Sequence, residues 1–69
     1  MAMNRTEIYD AIKISAKSRD WCYELMSESR HPDTVLTHNF NNRIVNQLIA
    51  EYKEAGGRRS VEKFQKEDR

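Results

Sequence analysis

The chain is poor in the residues that usually staple or interrupt a small fold. It has one cysteine, one proline and two glycines in 69 residues. A single cysteine excludes an internal disulfide. Cys22, His31 and His38 match none of the paired spacings that zinc sites use, so neither a metal nor another cofactor is expected. Charge of neither sign is in excess: twelve Lys and Arg stand against eleven Asp and Glu, for a net charge of +1. A nucleic-acid binder usually shows a basic surplus to neutralise phosphates, and a DNA mimic an acidic one. No apolar run approaches the roughly 18 residues that suggest a bilayer span. There is no signal-peptide pattern, so membrane insertion is not expected, and the lone thiol suits a reducing, cytoplasmic setting.

Residues 1–69 are expected to form a single small domain with frayed ends. A core of this size seldom supplies more than about 3–5 kcal/mol. With disulfides and metals set aside, a partner chain is the remaining way to add stability, unless the helices pack unusually well.

What the sequence does contain is helical periodicity. Asn4 or Thr6 can cap a helix, and Glu7 lies three residues after Asn4, as in a capping box. No Gly or Pro interrupts Glu7 to Ser29, and apolar residues recur from Ile8 to Met26. One helix is predicted over about 5–29, ended by His31-Pro32-Asp33-Thr34. A second is predicted over about 39–55, with Phe40, Ile44, Leu48, Tyr52 and Ala55 at steps of three and four and Val45 and Ile49 widening the stripe. Gly56-Gly57 stops it. Its start is open: Val35 and Leu36 fit either an early turn capped by Asp33 or an extended segment. A short third helix, about 60–66, starts at Ser60 and carries Val61 and Phe64, and the polar tail beyond is expected to fray. The fold class is therefore all-α: a helical hairpin plus a short C-terminal helix.

The first helix has more apolar surface than one neighbour can cover. Asp10, Lys13, Lys17, Asp20, Glu24 and Glu28 share a narrow stripe, and apolar residues take well over half the circumference, beyond the usual arc of somewhat over 100°. They form two lobes. One holds Ile8, Tyr9, Ile12, Ala16, Tyr23 and Met26; the other holds Ala11, Ile14, Trp21, Cys22 and Leu25. A single antiparallel partner helix covers one lobe. The excess predicts a homodimer or a bound protein target, with Ile14, Trp21, Leu25, Tyr9 and Tyr23 as the candidate protein interface, since aromatics are enriched at binding hot spots. The competing structural reading is a compact three-helix monomer in which these residues are core.

The stretch His38-Asn39-Phe40-Asn41-Asn42-Arg43 precedes the clearest apolar pattern. Asn and Gln can pair with adenine and Arg with guanine, so Asn39, Asn42 and Arg43, with Arg58 and Arg59 on phosphates, form an alternative nucleic-acid site. Asparagine is also among the best N-cap residues, and Phe40 fits the apolar register of Ile44. We read the stretch chiefly as a helix start. No catalytic constellation is found. His31 and His38 read as surface loop residues, Cys22 as a buried inert thiol, and Gly56-Gly57 as a helix stop rather than a phosphate loop. The expected function is that of a small non-enzymatic regulator, inhibitor or adaptor, with a nucleic-acid-binding regulator as the alternative.

Overall fold

The computed structural model describes residues 3–68. It consists of two antiparallel α-helices, α1 (Arg5–Glu28) and α2 (Pro32–Glu54), followed by a 3-10 turn at Glu62–Phe64. Residues 1, 2 and 69, part of the ends expected to fray, lie outside the described residues.

Local chemistry sets each boundary. The Asn4 side chain accepts the Glu7 backbone N–H at 2.9 Å, and the Asn4 N–H donates to the Glu7 carboxylate at 3.4 Å, completing the capping box. Pro32 ends one helix and begins the next. Proline cannot continue a helix from within, but at the first helical position its missing N–H costs nothing. His31 caps α2 by accepting the Asp33 N–H on Nδ1 at 3.2 Å. α2 thus starts seven residues before the predicted 39 and is capped by His31, not by Asp33; residues 33–38 are helical, and His38–Arg43 lies inside the helix instead of at its start. At the far end Gly56, at φ +82°, sends its N–H to the Lys53 carbonyl, and Gly57 sends its own to Tyr52. That pair of bonds is a Schellman motif, which needs a residue free to adopt the left-handed region.

The core lies along the helix seam. Ile8, Tyr9, Ile12 and Ala16 of α1 pack with Val45, Ile49 and Tyr52 of α2 and with Val61 beyond it. On α2 the buried positions are His38, Asn42, Val45, Ile49 and Tyr52, at alternating steps of four and three. The contact stripe is therefore rotated from the one predicted through Phe40, Ile44 and Leu48. Phe40 is 64% exposed, and Ile44 and Leu48 are only half-buried. Neither His38 nor Phe40 sits where the sequence suggested: the histidine is inside and the phenylalanine outside.

The chain then turns back along the hairpin. Tyr52 accepts the Arg59 N–H on its hydroxyl at 3.1 Å, and the Arg59 guanidinium lies 4.0 Å from the centre of the Tyr9 ring. Val61 is buried, and Phe64 meets Tyr9 edge-on with ring centres 6.1 Å apart. In place of the third helix expected over 60–66 there is a single turn, Glu62–Phe64, followed by an extended strap. The strap does not fray where it is described: the Lys66 carbonyl and the Asp68 carboxylate are both held by α2.

Candidate interaction surfaces

Two features stand apart from ordinary packing: a buried polar junction and an uncovered apolar face. The junction centres on Arg19, which lies seven residues from both Ile12 and Met26 and so falls on the core face of α1. It is 1% exposed. One guanidinium nitrogen donates to the Asn42 side-chain oxygen at 3.1 Å and to the Phe64 carbonyl at 2.6 Å, while Nε donates to Asp20 at 3.1 Å. Asn42, 0% exposed, turns its amide nitrogen outward to the Lys66 carbonyl at 3.0 Å and the Asp68 carboxylate at 2.9 Å. Asn46 also donates to Lys66, and Arg43 pairs with Asp68 at 3.1 Å. The amide of Asn42, and after it the guanidinium of Arg43, hold the Asp68 carboxyl below the usual aspartate range. Lys66 approaches Asp20 at 3.5 Å and closes the strap against α1. The junction therefore clamps three segments together. Its donors are committed to one another's acceptors, while the buried side-chain oxygen of Asn46 has no hydrogen-bond partner among the described residues.

This geometry redistributes the residues of the proposed nucleic-acid surface. Asn42 is inside and spent on Arg19 and the strap, and Asn39 is half-buried beside His38, its side-chain oxygen 3.0 Å from the His38 Nδ1. Arg43 is engaged by Asp68, and Arg58 and Arg59 lie past the other end of α2, about three helical turns away. The five residues do not converge on one surface. His38 packs against Tyr23, with ring centres 6.1 Å apart.

The residues of the proposed protein interface divide. Tyr9 is buried in the core against Tyr52 and Phe64, and is not available at the surface. Ile14 is 68% and Trp21 63% exposed on the outer side of α1; Tyr23 is exposed near the helix link and Leu25 half-buried. The first lobe of α1 is thus consumed by α2 and the strap, apart from Tyr23; in the second Ile14 and Trp21 are exposed, Ala11 and Leu25 are half-buried and Cys22 is buried. Beside Trp21 lies a shallow cleft of about 410 Å³, floored by Ala16 and Phe64 and edged by Lys13, Lys17, Asp20 and Glu24. Among the described residues no three His, Cys, Asp or Glu side chains are grouped as a metal site would need, and no helix is long and apolar enough to cross a membrane.

No protein-family model matches this chain, and neither a curated protein nor a solved structure resembles it significantly.

Arg19 and Asn42 were missed as structural residues because a polar side chain does not count toward an apolar stripe. The signal was in the spacing. Positions 12, 19 and 26 repeat every seven residues, and positions 38, 42, 45, 49 and 52 alternate four and three.

Proposed function

We propose that this protein is a non-enzymatic interaction module of a reducing, cytoplasmic compartment. It binds a protein target through the outer face of α1, acting as a regulator, inhibitor or adaptor, and it also self-associates. The observation that carries the reading is the exposure of Ile14 and Trp21 on one side of the same helix, beside an apolar-floored cleft. A solvent-facing tryptophan contributes little to a monomer. Placed in a partner's pocket it brings a large apolar body and one N–H donor, which is why tryptophan is enriched at hot spots. The mixed Lys and Glu/Asp edge of the cleft suits the polar rim of a protein interface better than a polyanion.

The test uses the chain as bait in a lysate of its native host, with wild type and Trp21→Ala in parallel. A protein retained by the first and lost by the second is then purified, and its binding measured by calorimetry. Trp21→Ala should weaken that binding by about tenfold or more while leaving the helical circular-dichroism signal intact. Equal binding to both baits would remove the outer face of α1 from the reading. A steeply salt-dependent association with nucleic acid, weakened by Arg58→Ala, would replace the protein partner with a nucleic acid.

A further inference from the structure

The hairpin is elongated, with extents of 39 × 24 × 15 Å. The chain's radius of gyration is 12.7 Å, against about 11 Å for a compact chain of this length. It exposes 5120 Å², against about 4500 Å² for a compact monomer of 8.2 kDa. One broad flank is occupied by the strap; the other is not.

That open flank carries its own heptad pattern. On α1 it runs through positions 11, 15, 18, 22 and 25, and on α2 through 37, 41, 44 and 48, and none of these residues is charged. Both rows lie beside the core seam, and most of their members are half-buried by the neighbouring helix. The α1 row is made of small side chains at Ala11, Ser15 and Ser18, whereas the α2 row carries Ile44 and Leu48.

We propose that this flank receives a second copy of the chain, forming a two-fold symmetric four-helix bundle. The proposal rests on the reading that the chain self-associates and specifies the surface that does so. A two-fold interface must be complementary to itself. Here the ridge of Ile44 and Leu48 on one copy faces the trough of Ala11, Ser15 and Ser18 on the other when α1 of each lies over α2 of its neighbour. Size permits it: the molecule's broad side, at most 39 × 24 Å, has room for the roughly 800 Å² that each partner gives to a stable interface. No charge among the named positions has to be desolvated; Glu51, the next step of the α2 row, is exposed and marks its end. The outer face of α1, with Trp21, stays free for a different protein.

Sedimentation equilibrium across the micromolar range tests this. Wild type should approach twice the 8.2 kDa chain mass. Ser18 is exposed in the single chain, so Ser18→Arg keeps the fold while placing like charges in the bundle; the dimer should weaken by about 100-fold or more. Thr37→Arg, at an exposed position of the other row, should do the same. Trp21→Arg should leave the dimer mass unchanged. A wild-type monomer at every concentration overturns the proposal, as does a dimer that survives both Ser18→Arg and Thr37→Arg. If Trp21→Arg alone dissociates the dimer, self-association stands but belongs to the outer face of α1. Target binding by that face is read separately, from the Trp21→Ala bait.

Discussion

Arg19 and Asn42 face each other across the helix seam, 3.1 Å apart and both almost fully buried, where a coiled coil would place two aliphatic side chains. Taking a guanidinium out of water is costly and must be offset by the acceptors around it. Those acceptors come from three segments: Asp20 on α1, Asn42 on α2, and the Phe64 carbonyl at the start of the strap. The pair therefore fixes the register of the hairpin and the position of the C-terminal strap together.

Removing one member should be far worse than removing both. Arg19→Ala should cost about 2–5 kcal/mol by opening a cavity and leaving the Asn42 oxygen and the Phe64 carbonyl without their donor, close to the whole stability of so small a domain. Asn42→Ala should cost about 1–3 kcal/mol, because it strips a buried guanidinium of an acceptor and the strap of a donor. The double variant Arg19→Met/Asn42→Leu should recover most of that loss. Urea unfolding of wild type, Arg19→Ala, Asn42→Ala and Arg19→Ala/Asn42→Ala gives the coupling energy; additive effects would show that the two side chains do not depend on each other.

The buried face of α2 can be checked by truncation. Ile49→Ala should cost about 2–5 kcal/mol, since Ile49 packs in the main cluster. Phe40→Ala, despite removing more atoms, should change stability by no more than about 0.5 kcal/mol, because the ring faces solvent. Thermal melts of the two variants would invert this order if α2 packed through Phe40, Ile44 and Leu48.

The two glycines after α2 should respond differently to substitution. Gly56→Ala meets only the left-handed backbone penalty, about 1–2 kcal/mol. At Gly57 an added methyl group would run into the ring of Tyr52, which is buried and bonded to Arg59. Gly57→Ala should cost about 1–3 kcal/mol by displacing that ring. Gly57→Ala in a Tyr52→Leu background should lose much of this extra penalty, which a melting-temperature comparison will show.

The strap should loosen in acid. The Asp68 carboxylate is stabilised in the folded chain by Asn42 first and Arg43 next, so its pKa lies below the unfolded value of about 3.9. A depressed carboxylate contributes stability that is fully present above the unfolded value. That contribution is lost as pH falls through the lower folded value. Carbon-detected NMR should therefore show the Asp68 carboxyl titrating below about 3.9 in wild type and nearer 3.9 in Asn42→Ala. A midpoint unmoved by Asn42→Ala would separate the strap from the polar junction.

The sequence determined by itself the parts of this fold that depend on neighbours along the chain. The Asn4 and Glu7 capping box, the break at Pro32 and the stop at Gly56 are settled within a few residues, because backbone geometry and unpaired N–H and C=O groups are local matters. The surplus of apolar surface on α1 was legible for the same reason: it follows from a helix wheel alone, and the openness of Ile14 and Trp21 agrees with it. Which face of α2 turns inward was legible only in part: Val45, Ile49 and Tyr52 belonged to the expected stripe, but its continuation runs through the polar His38 and Asn42 rather than through Phe40. Choosing the face through His38 and Asn42 over that through Phe40 requires a partner for each buried polar group, and those partners lie at Arg19, Tyr23, Lys66 and Asp68. Nor could local pattern place the strap, since its polar residues look solvated until the carbonyls of Phe64 and Lys66 meet donors from the two helices. Hydrogen bonds between residues more than twenty positions apart leave no periodicity in the sequence, and only the tertiary arrangement brings donor and acceptor together.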